Sequence, residues 1–146
     1  MSLQENKDLV NRFTQEVMND GNLDALGDYL SPDFVNHVTG QTGITAYRSV
    51  VEWARRMQGE GGVNVIDDLI AEDDRVVMFI TANGRLSNDL QLFGMTFPAN
   101  GSTFSNKHVH TFRVREGKLT EHWATRDDLT MLLQLGARVV GPAGET

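Results

Sequence analysis

The chain has 146 residues, 40% hydrophobic and 23% charged, with no cysteine and a formal net charge of −7. That is core enough for one globular domain over residues 1–146, with no Pro/Gly/Ser-rich linker to divide it, and it excludes a disulfide framework, a thiolate nucleophile and a Cys-ligated metal. The acidic balance, with Arg55-Arg56 and Arg113 to Arg115 as the densest basic spots, argues against nucleic acid as a partner. The N-terminal MSLQENKDLV carries no basic region followed by an apolar run, and no apolar stretch approaches the ~20 residues of a membrane span. A cytoplasmic protein without a membrane partner is expected.

In chain order, residues 5–19 place Leu9, Phe13 and Val17 at helical spacing. Asp20-Gly21 ends that helix, and Asn22 can cap a second over Leu23 to Leu30. Ser31-Pro32 breaks the pattern, and Asp33 to Val38 is a short extended piece holding Asn36 and His37. A third helix spans Ile44 to Gln58, with Tyr47, Val50, Val51, Ala54 and Met57 as a broad apolar face and Trp53 off it, at an interface or a rim. After the break at Gly59 to Gly62 the period changes to that of strands. These are Val63 to Ala71 and Arg75 to Asn83, with Asp73-Asp74 turning between them. Leu86 to Asn100 is irregular and rich in apolar residues, Phe93 and Phe97 among them, as loops that cover a cavity often are.

Lys107 to Gly136 then reads as strand, tight turn, strand and helix. Helices followed by consecutive hairpin strands predict segregated α+β, a strongly bent and mostly antiparallel sheet wrapped around the N-terminal helices. Three short helices do not fill the concave side of such a sheet, so a conical internal cavity is expected.

A two-residue turn at Glu116-Gly117 pairs Arg115 with Lys118. Counting back, Phe112 faces Glu121, His110 faces Trp123, His108 faces Thr125 and Asn106 faces Asp127. His108, His110, Trp123 and Asp127 then share one face, with His122 on the other. A three-residue loop with a glycine bulge would instead bring His110 opposite His122.

Asp127, near an apolar wall, would have a raised pKa and could carry a proton; it is equally a good helix N-cap, as is Asp128. His108 and His110 form an H-x-H pair that can hydrogen-bond a substrate oxygen or Asp127. A metal site would need further ligands from Glu121, Asp127 or His37, and no second paired-histidine motif supports one, so no metal is expected. Asn36 has the donors that steady an enolate oxygen, though Asn also favours turns. Phe112 and Trp123 read as cavity wall or core. Arg126-Asp127-Asp128 also fits epoxide hydrolysis, if a second acid (Glu121, Asp67 or Asp68) faces the same cavity.

These segments resemble the SnoaL-like polyketide cyclases, a branch of the cone-shaped fold of nuclear transport factor two and ketosteroid isomerase. The resemblance runs over nearly the whole chain. It is carried by Asn6 to Phe13, by DGNLDAL at 20–26, by DFVNH at 33–37, by HTFRVREGKL at 110–119 and, most specifically, by EHWATRDDLTMLLQLG at 121–136. Thr130 departs from the glycine usual in the last segment, and His108 is a second histidine.

The resemblance implies a cofactor-independent acid–base enzyme that closes a ring by intramolecular aldol condensation. Asp127 would be the proton shuttle by its Trp-plus-four spacing, with His110 beside it and Asn36 and His37 as positioning residues. The substrate-binding set is Asn36, His37, His108, Trp123, Phe112, Phe93 and Phe97, and the ligand is a small apolar carbonyl compound. The same scaffold accommodates a non-catalytic binding module, an isomerase, an epoxide hydrolase or a hydroxylase. A sheet face carrying Arg113, Arg115, Lys118 and His122 is expected to pair two copies into a C2 homodimer.

Overall fold

The computed structural model describes residues 1–143. Helix α1 (Leu3–Phe13) starts where the Ser2 hydroxyl accepts a hydrogen bond from the Glu5 N–H, satisfying a donor the first turn leaves orphaned. Leu9, Val10 and Phe13 form its buried stripe, and a π-helical turn over Thr14–Asn19 carries Val17 inward as well. Arg55 Nη1 closes that turn by donating to the carbonyls of Met18 and Asn19, each at 2.8 Å.

The predicted second helix is shorter than expected. A 3₁₀ turn (Leu23–Ala25) leads into α2 (Leu26–Tyr29), and Leu30 already begins strand β1 (Leu30–Asn36). Pro32 explains the early exit, because its ring pushes Ser31 out of the helical region. The Asn22 side chain makes no cap; it donates to Glu16 instead. A two-residue β2 (Gln41–Thr42) pairs back on β1, and α3 occupies Ile44–Gln58, as the periodicity predicts. Gly59 ends α3 at φ 70°, where an added Cβ would lie 2.3 Å from the Arg85 carbonyl oxygen, so only glycine fits.

Strands β3 (Val63–Glu72) and β4 (Arg75–Arg85) follow, then a small hairpin of β5 (Leu90–Leu92) and β6 (Met95–Phe97) inside the stretch read as irregular. Strands β7 (Thr103–Arg115) and β8 (Lys118–Arg126) and helix α4 (Asp128–Gln134) complete the chain. The main sheet has the order β2-β1-β8-β7-β4-β3, with β1 parallel to β8 and every other neighbour antiparallel. This is the expected α+β class, a bent and mostly antiparallel sheet holding the N-terminal helices.

Phe13 sits at the centre of the core, edge-on to Tyr29 and to Phe112 with ring centroids 5.7 Å apart in both pairs. It is 1% exposed, so truncation to Ala would cost about 3–5 kcal/mol. A second cluster of Met57, Leu86, Leu90, Phe104, Met131 and Leu135 ties α4 and the small hairpin to the end of α3. Among the described residues, no helix is long and apolar enough to cross a membrane.

The β7–β8 hairpin decides what faces inward. Its turn is the predicted two-residue one, with Glu116 at φ 51° and Gly117 at φ 74°, and Arg115 pairs with Lys118. Val114 pairs with Leu119, but the next pair is Arg113 with Glu121, leaving Thr120 as an extra residue. A one-residue bulge moves every later side chain to the other face. Phe112 therefore faces His122 rather than Glu121, His110 faces Ala124 rather than Trp123, and His108 faces Arg126 rather than Thr125.

Two demands force the bulge. Leu119 is fully buried and must point inward, while Glu121 must point outward to meet Arg113. Once Glu121 is outward, His122 falls inward, at an odd separation from Leu119 that an unbroken period of two cannot satisfy.

Candidate functional site

The concave side of the sheet and one face each of α1 and α3 enclose a cavity of about 760 Å³ counting its open mouth. Its enclosed part is only about 90 Å³, so the space is a narrow slot. Most of its wall is apolar: Phe13, Met18, Val50, Trp53, Met78, Ile80 and Phe112 all contribute. Ala124 lies directly across from His110, and its short side chain leaves the slot open at that point. A wider, shallower recess at Glu60, Arg85, Thr103 and Gln134 contains no imidazole.

Three histidines stand along the slot in one hydrogen-bonded row. His122 Nδ1 is 3.0 Å from Asn36 Oδ1, His110 Nδ1 is 2.8 Å from His122 Nε2, and His108 Nδ1 is 3.2 Å from His110 Nε2. Asn106 Nδ2 approaches His108 Nε2 at 3.3 Å. The two amides orient the row. Asn36 Oδ1 also accepts the Val38 N–H at 3.1 Å, and Asn106 Nδ2 also donates to the Asp127 carbonyl at 3.1 Å, so neither amide can turn over without losing a backbone partner. With an acceptor fixed at one end and a donor at the other, each neutral ring carries its proton on Nδ1 and presents a lone pair on Nε2. All lone pairs point toward Asn106.

Burial is the main reason these rings stay neutral. Desolvation, then the Arg126 charge, lowers the His108 pKa to about 4, and desolvation, then His37, lowers that of His122 to about 4. His110 is held well below its ordinary value by burial first and by its neighbours His122, His108 and Arg126. The Asn36 Nδ2 group is buried beside the slot and makes no hydrogen bond to another described residue. Tyr47 lines the same space, and burial pushes its phenol pKa up, so it remains protonated. Among the described residues, no group of three or more His, Cys, Asp or Glu is arranged to hold a metal ion, because these ring nitrogens bond to one another in sequence rather than converging on a point.

The structure brings Asn36, His108, His110 and Phe112 of the predicted set together on the cavity wall. It places the rest elsewhere. The Asp127 carboxylate, expected inside, is exposed and caps α4, accepting from the N–H and hydroxyl of Thr130 at 3.1 and 2.5 Å. Those two hydrogen bonds, the hydroxyl's first, hold its pKa below the ordinary carboxylate value rather than raising it.

Trp123 is on the outer face, where His37 stacks on it at 4.5 Å and Arg75 and Arg113 flank it. His37 is also 3.0 Å from Glu121. Phe93 is 67% exposed on the small hairpin, and Phe97 packs against the second cluster. His122, expected on the outer face beside Arg113 and Arg115, is 4% exposed and inside. The acids needed for epoxide chemistry are not in the slot: Glu121 pairs with Arg113, Asp67 with Thr81 and Lys107, and Asp68 accepts from the Leu69 N–H. Among the described residues, no Asp or Glu lines the cavity.

Sequence reasoning missed His122 and Arg126 as cavity residues. The available signal was charge. An unbroken strand would bury Glu121 beside Phe112, whereas one extra residue lets it pair with Arg113.

The segment that carries the resemblance supplies the contacts that fix α4. Asp127 caps α4. Gln134 clamps it to β7 through Ser105, accepting from its N–H at 2.7 Å and donating to its carbonyl at 3.0 Å. Gly136, at φ 100°, ends the helix while the Ala137 N–H reaches back to the Leu132 carbonyl.

A family model described as SnoaL-like polyketide cyclase matches residues 8–135. Nogalonic acid methyl ester cyclase of Streptomyces nogalater is 29% identical over 126 residues, covering 82% of this chain and 90% of that one. Aklanonic acid methyl ester cyclase DnrD of Streptomyces peucetius is 28% identical over 144 residues, covering 94% of each. Among solved structures, TsrD of Streptomyces laurentii superposes with a TM-score of 0.79 at 27% identity, covering 94% of this chain and 99% of that one. AclR of Streptomyces galilaeus does so with a TM-score of 0.78 at 22% identity, a likeness of fold alone, covering 97% and 87%.

Proposed function

Because this chain belongs to the SnoaL-like polyketide cyclase family, we propose that it closes a ring in a polyketide-like carbonyl compound by cofactor-independent intramolecular aldol condensation, with the histidine row moving the proton. The observation that supports this reading is a narrow apolar slot containing three hydrogen-bonded imidazoles and, among the described residues, no carboxylate.

The row's basic end is His108 Nε2, which exchanges its long contact from Asn106 for the substrate's C–H. It takes the proton from a carbon flanked by carbonyls, and the C–H electron pair becomes an enolate. Asn36 Nδ2, at the other end of the row and with no hydrogen-bond partner among the described residues, donates to a more distant carbonyl oxygen and holds the substrate along the slot. The Nδ1–H of His108 shifts toward His110, and that of His110 toward His122, so the positive charge is shared over the row instead of resting on one desolvated ring. The enolate carbon attacks a second carbonyl of the same molecule, and that oxygen takes the proton back. One C–H bond and the π bond of the attacked carbonyl are exchanged for one C–C and one O–H bond, with no net redox change. A slot this narrow favours folding a flexible substrate into the geometry of attack.

His110 links both halves of the row, so His110→Gln should lower kcat at least a hundredfold on aklanonic acid or its methyl ester, whichever the unaltered protein turns over, with substrate binding kept. Turnover near that of the unaltered protein would end the proposal.

Two copies are proposed to pair through the outer sheet face, where Val65, Ile70 and Phe79 are exposed, rather than through a face containing His122.

A further inference from the structure

Among the described residues, Arg126 is the one side chain with a permanent formal charge lining the slot. A guanidinium in an apolar recess is costly unless something engages it. Two groups hold it in place: its Cζ lies 5.6 Å from the ring centre of Trp53, and Nη2 donates to Asp128 Oδ2 at 3.0 Å. Its side chain is 28% exposed. The Asp128 bond is its single side-chain hydrogen bond among the described residues, so most of the five N–H donors of the fork remain available. The register puts Arg126 directly across from His108, the basic end of the row. Cross-strand partners stand roughly 5 Å apart at Cβ.

We propose that Arg126 is a specificity-determining residue that docks a carboxylate of the substrate, so that this chain takes a free carbonyl-bearing acid where its named relatives are cyclases of methyl esters. This rests on the reading of the slot as the binding site for an apolar carbonyl compound. The planar fork matches a carboxylate with two parallel hydrogen bonds, a match an ester cannot make with either oxygen charged. A carboxylate seated there lies one residue's width from His108 and fixes which carbon faces Nε2. It also offsets the field by which Arg126 holds down the basicity of His108 and His110, so the acid group of the substrate would strengthen the base that acts on it.

The test is calorimetric titration of the full chain at pH 7.5 with anthraquinone-2-carboxylate and with its methyl ester. The acid is expected to bind at least tenfold more tightly than the ester. In R126Q the acid should lose that tenfold advantage while the ester stays within twofold, which also shows that the variant is folded. The comparison of the two probes on the unaltered protein needs no variant. Equal affinity for acid and ester, or an acid preference that survives R126Q, overturns the proposal and leaves the apolar-slot reading intact. Binding of neither probe overturns both.

Discussion

Mild acid should destabilise this protein before its carboxylates titrate. His108 and His122 have pKa values of about 4 in the fold, against 6.5 for the free side chain. Between those values the unfolded chain binds protons that the folded chain refuses, so stability is full above pH 6.5 and falls as the pH falls toward 4. At pH 5.5 an unfolded histidine is about nine-tenths protonated and these folded ones barely so, which for two groups is a slope of about 2 kcal/mol per pH unit. From pH 6.5 to 4.5 the loss is roughly 4 kcal/mol, a large part of the 5–15 kcal/mol typical of a domain. His110, held down still more strongly, adds to it.

Carboxylates act in a lower window. Glu121 and Asp127 have lowered folded pKa values, so their contribution is lost only as the pH falls below the ordinary carboxylate range. Urea unfolding at half-unit steps between pH 7 and 4.5, with histidine ring protons followed by NMR, measures both quantities. A midpoint that stays flat across that range, or ring protons of the buried histidines titrating above pH 6, would refute the claim that the row is neutral because it is desolvated.

Asp127→Asn should keep most of its turnover, and Asp127→Ala should lower the melting temperature by roughly 2–4 °C as the cap is lost; loss of turnover in the soluble Asn variant would return the carboxylate to the chemistry. Asn36→Leu should lower kcat/KM by about tenfold, as loss of one hydrogen bond to a substrate does; an unchanged kcat/KM would remove Asn36 from the binding site. Phe79→Glu on the outer sheet face should turn a dimer into a monomer by light scattering, and a monomeric unaltered protein at micromolar concentration would sink the pairing.

Much of the fold was legible in the sequence because it rests on local rules. The stripe of α3, the positive-φ turn at Glu116-Gly117 and the change from helical to strand period at Gly62 are each set by residues within a few positions of one another. The site was only partly legible. Asn36, His108 and Phe112 were placed on the cavity wall, and His110 with them. Asp127, Trp123 and His37 were placed there too and are not, while His122 was assigned outward and is inside.

One residue, Thr120, accounts for most of this. Its bulge is decided by a contest between distant partners, Leu119 seeking the core and Glu121 seeking Arg113, which no local pattern records. By itself, then, the order of residues determined the α+β class, the turn, and an H-x-H strand beside an apolar helix. Only tertiary packing decided that imidazoles rather than a carboxylate face the slot, because a strand's two sides are interchangeable until burial and charge pairing choose between them.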